Sequence, residues 1–152
     1  MKTKLPRGMR NNNPLNIRHS ASQWQGVRAE QTDKAFVQFI SMVMGYRAAW
    51  RTLETYFKRF EAERQPFTPR AIIYRWAPPE ENDSEAYLRT VCGLGGLAGN
   101  APLVQPSRAH DRMEREKLIN LLAAMTCVEN GVKMEVIDRA DIELALRLAF
   151  RE

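Results

Sequence analysis

The spacing of apolar residues after Ser41 predicts a long core helix. Apolar side chains recur there at helical intervals as far as Phe60, while charged residues such as Arg51 and Lys58 occupy other faces. The apolar stripe consists of Met42, Val43, Tyr46, Trp50, Leu53, Tyr56, Phe57 and Phe60. Glu54 lies off this stripe, and we expect it to be a solvated helix residue.

Four further helices are predicted from caps and apolar spacing. Thr68-Pro69 is a cap followed by proline at the first helical position, and Pro78-Pro79 ends that helix. The next helix begins near Asn82-Asp83-Ser84, a third spans about 107 to 129 before Asn130-Gly131, and a fourth spans about 138 to 150. The inward positions of the last three include Tyr87, Leu88, Val91, Met113, Leu118, Leu121, Leu122, Met125, Val128, Ile142, Ala145, Leu146 and Leu148.

The remaining segments carry no sustained helical period. Residues 1 to about 32 are polar and are interpreted as an ordered loop pinned by Leu15, Ile17 and Trp24. Residues 35–39 alternate weakly, which fits either a short strand or the lead-in to a helix. Four glycines between 93 and 99 predict a flexible loop reaching about Ser107. The predicted fold class is mainly α, with an ordered N-terminal loop region and little or no β.

Composition narrows the class of protein. A chain of 152 residues is expected to form one domain with a sizeable core, and no apolar run approaches the ~20 residues that cross a bilayer. The basic segment Met1–Arg7 lacks the apolar stretch of a secretory signal, so synthesis in the bacterial cytoplasm is expected. Cys92 and Cys127 are interpreted as buried thiols, and neither a disulfide, a metal nor a cofactor is expected.

The positive net charge favours an anionic partner. The formal charge is +5 and the isoelectric point is near 9.5, which suits nucleic acid, an acidic cell-wall polymer or a capsid surface. Basic residues are scattered through every predicted helix instead of forming one block, and this argues against nucleic acid. His19 and His110 lie in polar surroundings without a recognisable Ser or Cys nucleophile motif, which argues against an amidase or peptidase.

Two polar segments stand out as candidate chemistry. Residues 10–18 read Arg-Asn-Asn-Asn-Pro-Leu-Asn-Ile-Arg, a dense set of hydrogen-bond donors and acceptors suited to amide- and hydroxyl-rich ligands such as amino sugars. Residues 75–82 read Arg-Trp-Ala-Pro-Pro-Glu-Glu-Asn, which places acids next to an aromatic ring and two prolines. Between them lie Trp24-x-Gly26, Asp33-x-x-Phe36-x-x-Phe39 and Gly45-Tyr46-Arg47-Ala48.

This set of motifs, over about residues 7–92, resembles a family of phage and prophage proteins described as virion structural proteins or lysozyme-like. The order of motifs is also similar, more distantly, to bacterial glucosaminidases of the lysozyme superfamily. The resemblance implies one lysozyme-like helical domain over 1–152, with residues 107–152 as a helical C-terminal extension. It also implies that a groove binds the glycan strand of peptidoglycan. In the glucosaminidases a catalytic glutamate precedes the Asn-x-x-x-Ile segment, whereas residues 1–10 of this chain contain no acid.

Cleavage of a glycosidic bond needs a carboxylic acid facing the groove. Glu81 is the preferred catalytic candidate, because Trp76 and Pro78-Pro79 can supply a dry wall beside it. The alternative is a structural role, in which Glu81 interacts with the dipole of the helix that starts near Asp83. Asp33 is the candidate second acid, and the alternative is that it braces the turn into Phe36.

Eight residues are candidates for binding the sugar or its substituents. The asparagines are candidates for N-acetyl groups, the arginines for lactyl or peptide carboxylates, and the aromatic rings for stacking on sugars. The set is Arg10, Asn11, Asn12, Asn13, Arg18, Trp24, Trp76 and Tyr87. Each has a structural alternative, since asparagine runs hold loops and large aromatic rings often belong to the core.

Three functions remain open from the sequence. The leading hypothesis is a phage-encoded lysozyme or lytic transglycosylase acting in the cell wall or periplasm, or carried in the virion. The alternative is a non-catalytic virion or glycan-binding protein that contacts other virion proteins, which the missing upstream glutamate favours. A nucleic-acid-binding role depends on net charge alone.

Overall fold

A computed structural model describes residues 4–151, which contain six α-helices, with a long irregular segment between the first and the second. The helices are α1 (Arg7–Arg10), α2 (Met42–Ala62), α3 (Pro69–Trp76), α4 (Ser84–Gly95), α5 (Arg112–Asn130) and α6 (Arg139–Phe150), with 3-10 turns at Pro106–Arg108 and Met134–Val136. The predicted mainly-α class is confirmed. Part of the Met1–Arg7 segment, on which the expected absence of a secretory signal depends, lies outside the described residues.

Side-chain caps begin the longer helices where the sequence places them. Ser41 Oγ accepts a hydrogen bond from the Met44 amide at 3.2 Å, and Thr68 and Asp83 cap α3 and α4 in the same way. Gly131 ends α5 with a φ of 64°, a left-handed conformation that glycine adopts without steric cost. The predicted bounds of these helices therefore hold to within a few residues, except at the start of α5.

The core is formed by α2 and the two C-terminal helices together. Tyr46, Trp50 and Leu53 on α2 are almost completely buried. Trp50 Nε1 donates to the Ile142 carbonyl at 2.9 Å, and the hydroxyls of Tyr46 and Thr126 share a hydrogen bond at 3.0 Å. Burial of these large aromatic residues also buries their polar atoms, and the two hydrogen bonds supply those atoms with partners. The helices after residue 107 thus complete the core around α2.

The N-terminal region folds over one end of α2 with little regular structure. Within the described chain, its β-pairing consists of two isolated bridges, Arg18 with Phe36 and Val27 with Phe39. Ile17, Val37 and Phe39 of this region pack with Ala48 of α2 in a second, small apolar cluster. The weakly alternating segment 35–39 therefore forms single bridges on an extended chain and contributes no strand.

Several expected burial patterns differ in the structure. Met113 is 72% exposed and Leu148 is 45% exposed, because both lie off the buried side of their helices at 3.6 residues per turn. Glu54 is buried, although it was expected to be solvated. Cys127 is buried as expected, while Cys92 is only half-buried. In residues 4–151, no helix has the length and apolar content required to cross a bilayer.

Candidate functional site

A trench of about 460 Å³ runs between the N-terminal region and the turn that follows α3. Segment 15–18 of the asparagine-rich region forms one wall, and the segment 76–82 forms the other. The residues that line it are Leu15, Asn16, Ile17, Arg18, Phe36, Thr52, Tyr56, Trp76, Ala77, Pro78, Glu81, Asn82 and Glu129. The structure therefore brings the two motif-bearing segments to one concave site.

Glu129, near the end of α5, is the most firmly held acid in the trench. Its Oε2 accepts hydrogen bonds from Tyr87 OH at 2.9 Å and from Trp76 Nε1 at 3.4 Å. Its Oε1 accepts from Asn16 Nδ2 at 3.2 Å. Donors from three separate segments fix both carboxylate oxygens and complement the negative charge. Glu129 was not predicted from the sequence.

Tyr87 is a hydrogen-bond donor to this carboxylate over the whole physiological pH range. Burial and the negative charge of Glu129 both raise the pKa of the Tyr87 hydroxyl. The phenol therefore stays protonated beside the carboxylate. Tyr87 was expected to touch sugar, whereas the structure places it behind Glu129 and not among the residues that line the trench.

The local backbone explains how Asn16 reaches Glu129. Asn16 has a φ of 54°, in the left-handed region that asparagine tolerates better than most residues. The preceding turn is held by Asn13, whose Oδ1 accepts from the Ile17 amide at 2.9 Å. Asn130 Nδ2 donates to the Pro14 carbonyl at 2.8 Å and joins the end of α5 to this loop. The loop and the helix end are thus fixed relative to each other.

Glu81 belongs to the wall formed by segment 76–82, in the turn between α3 and α4. Its amide donates to the Pro78 carbonyl at 3.0 Å, and its side chain lines the trench while remaining exposed. Asp83 is the N-cap of α4 and Glu85 is the acid in its first turn, so Glu81 precedes the helix. The preferred catalytic candidate therefore faces the trench, but without the dry surroundings that were expected.

Asp33, the expected second acid, lies outside the trench. Its Oδ1 and Oδ2 receive a two-pronged hydrogen bond from Arg7 at 2.6 and 2.7 Å. Asn11 Nδ2 also donates to Oδ2 at 2.9 Å, and the amides of Ala35 and Phe36 donate to Oδ1. The Arg7 guanidinium is the main cause that holds the pKa of Asp33 well below its usual range. Asp33 therefore braces the turn into Phe36, which is the structural role weighed for it, and it does not share the trench with Glu81.

The asparagines of the run 11–13 hold the loop together. Asn13 is fully buried, and its Nδ2 donates to the Ile17 and Val37 carbonyls at 2.9 and 2.8 Å. Asn11 joins Asp33 to Gln38, and Asn12 Nδ2 donates to the Phe39 carbonyl. These amides bond to the protein itself and lie outside the trench, so the structure places the run in the loop-holding role and not beside the trench.

Arg10 and Trp24 also lie away from the trench. Arg10 is exposed beside the depression around Asp33, and its carbonyl accepts from Arg28. Trp24 packs against the small cluster under the N-terminal region. Of the eight candidate binding residues, Arg18 and Trp76 line the trench, and Arg18 lies over the Phe36 ring at 5.1 Å.

Comparison with known proteins shows where this chain belongs. No protein-family model matches it. Protein P5 of Pseudoalteromonas phage PM2 is 36% identical over 128 residues, which cover 82% of this chain and 71% of protein P5. The chain belongs to the protein P5 family. It is a phage protein, as its motifs predicted.

In the sequence of this P5-family chain, the position of Glu129 indicates that its side chain faces inward. The apolar residues that share this spacing make the acid easy to overlook. Leu118, Leu122 and Met125 are spaced four and three residues apart, and Glu129 follows at the next interval of four. An acid in the register of a buried stripe has to find partners, which the trench supplies. Across residues 4–151, no three His, Cys, Asp or Glu side chains lie close enough together to hold a metal ion.

Proposed function

We propose that this phage protein hydrolyses the glycan strand of peptidoglycan in the trench. The observation that carries the proposal is that Glu81 and Glu129 both line one trench of about 460 Å³, together with Arg18 and Trp76. Most glycoside hydrolases use two carboxyl groups that flank the glycosidic bond. Glu129 replaces Asp33 as the second acid.

The two acids take different parts in the proposed reaction. Glu81 in its protonated form donates a proton to the glycosidic oxygen as the bond to the anomeric carbon breaks. Glu129 accepts a proton from the water whose oxygen attacks that carbon. Each carboxyl then returns to its starting state by proton exchange with solvent. A bound sugar over Trp76 and Pro78 would exclude water from Glu81, which the free trench leaves exposed.

The other trench residues suit a substituted amino-sugar chain. The half-buried rings of Trp76, Tyr56 and Phe36 offer apolar surfaces for sugar faces. Arg18, exposed at the rim, is placed to pair with a lactyl or peptide carboxylate of the strand. Such an activity would be used at the cell wall or periplasm, with the protein either released at lysis or carried among other virion proteins.

A second candidate function is glycan binding without cleavage by a virion component. The exposure of Glu81 favours it, because a proton donor needs an apolar niche to stay protonated near neutral pH. Both functions predict binding to sacculi, and only the first predicts soluble products.

The test is to incubate the purified protein with isolated sacculi and to measure both sedimentation with the sacculi and release of muropeptides. We expect release by the wild type, a loss of about 100-fold or more in Glu129→Gln, and retained sedimentation of that variant. Glu80→Gln is the matched control, because Glu80 is an exposed acid in the same turn that does not line the trench. Sedimentation without release by the wild type, with an active lysozyme alongside, would establish the binding function instead.

A further inference from the structure

A second hollow, of about 380 Å³, lies between α2 and α6 and shares no lining residue with the trench. It is lined by Gln25, Met44, Arg47, Arg147, Leu148 and Arg151. Half of these residues are arginines, contributed by two helices and by the residue that ends α6. The proposed hydrolysis does not use this hollow.

The positive charge of this hollow is largely uncompensated. Among the described residues, the ion pair that reaches it is a long one, from Arg147 to Glu143 at 3.8 Å. No carboxylate of residues 4–151 lies within ion-pair distance of Arg47 or Arg151. Burial, and then the positive charges of Arg51 and Arg151, lower the pKa of Arg47. An anionic ligand would relieve this repulsion.

Exposed apolar side chains accompany the arginines. Leu144 and Leu148 are each 45% exposed and lie one turn apart on α6. Arg147 lies three residues after Leu144, so these three side chains share one side of the helix. Arg151 follows the end of α6 and lines the hollow together with Arg147 and Leu148. We name the surface formed by Arg47, Leu144, Arg147, Leu148 and Arg151 the Arg–Leu face.

We propose that the Arg–Leu face binds the surface of a lipid bilayer that carries anionic headgroups. Arginines attract anionic lipids, and aliphatic side chains beside them enter the boundary between headgroups and acyl chains. A nucleic acid would use the arginines but would leave the leucines exposed, and the lining of this hollow offers no aromatic ring for base stacking. The combination of charge and aliphatic surface therefore favours a membrane over a phosphate polymer.

The test is co-sedimentation of the full chain with vesicles of phosphatidylcholine, with or without phosphatidylglycerol. We expect binding to the anionic vesicles alone, and it should weaken as salt is raised. The double variant Arg47→Gln/Arg147→Gln should bind roughly 30-fold more weakly, since each arginine near the surface contributes about fivefold. Arg89→Gln/Arg112→Gln is the matched control, which removes the same charge from exposed positions on α4 and α5.

The leucines distinguish a bilayer from any other polyanion. Leu144→Ser/Leu148→Ser should lose binding to anionic vesicles while keeping its net charge, its cleavage of sacculi and its thermal unfolding midpoint. Equal vesicle binding by this variant and the wild type would overturn the proposal, and so would wild-type binding to duplex DNA that is as tight as binding to the vesicles. Equal weakening by the arginine control pair would show attraction by net charge alone and would also overturn it.

Discussion

The Tyr87 hydroxyl donates a hydrogen bond to Glu129 Oε2 at 2.9 Å and thereby joins α4 to α5 behind the trench. The sequence separates these residues by 42 positions, and the core between α4 and α5 brings them together. Because Trp76 and Asn16 donate to the same carboxylate, the acid is held from three sides. This arrangement gives the trench a carboxylate of fixed position.

Removal of the Tyr87 hydroxyl should weaken both the fold and the proposed activity. Tyr87→Phe leaves Glu129 Oε2 with Trp76 as its remaining donor among the described residues, and a lost hydrogen bond to a charged group costs about 2 kcal/mol. Urea unfolding measures the first effect, and muropeptide release measures the second. Tyr74→Phe is the control, because it removes a comparable hydrogen bond to Glu85 away from the trench and should leave cleavage unchanged.

The sequence predicts the helices of this protein far better than it predicts the trench. Thr68, Asp83 and Gly131 act locally, so their patterns identify the ends of α3, α4 and α5 directly. The position of Glu129 depends on how α5 packs beside the loop at Asn16, a relationship across 113 residues that no local pattern encodes.

Local sequence patterns also do not determine the roles of the polar residues. An asparagine run suits a ligand and a loop equally well, and the choice depends on which partners the fold supplies. Asn13 finds the Ile17 and Val37 carbonyls inside the protein, whereas Arg18 finds open space and Phe36. Residue type alone does not separate these outcomes.

Asp33 should make the stability of the protein depend on pH in the acid range. Its pKa is lower in the folded chain than in the unfolded chain, chiefly because Arg7 donates to it. The stabilisation is therefore complete above the unfolded pKa of about 4 and is lost as the pH falls below it. Asp33→Asn should be less stable at neutral pH and should lose less stability on acidification, as measured by urea midpoints across this range. Glu30→Gln, an exposed neighbour, should follow the wild type.

The buried carboxylate of Glu54 should hold the segment before α5 in place. Glu54 accepts from the Ser107 amide at 2.9 Å, from Ser107 Oγ at 2.7 Å and from Gln105 Nε2 at 2.5 Å. Glu54→Gln puts an amide group among these donors and should cost about 1–3 kcal/mol. Hydrogen exchange should then quicken in residues 103–109, with Glu61→Gln on the exposed side of α2 as the control. Unchanged exchange there would show that the contact is dispensable.

Gly45 permits the close approach of α2 to the asparagine-rich loop. A Cβ at this position would lie 2.0 Å from the Asn12 carbonyl oxygen, which real contacts do not allow. Gly45→Ala should therefore destabilise the protein by about 3 kcal/mol, because the loop backbone has to move. Gly93→Ala is the contrasting variant, since its Cβ meets open space in α4 and should stabilise by about 0.5 kcal/mol. Thermal unfolding of both variants measures the difference.

Hydrolysis in the trench is tested most sharply by mass spectrometry of muropeptides that form in heavy-oxygen water. If Glu81 protonates the leaving oxygen and Glu129 activates water, each new reducing end carries one solvent oxygen. Glu81→Gln and Glu129→Gln should both abolish these products, while Glu80→Gln forms them at the wild-type rate. Products without solvent oxygen would exclude hydrolysis, and products formed equally by Glu129→Gln would exclude Glu129 as the group that activates water.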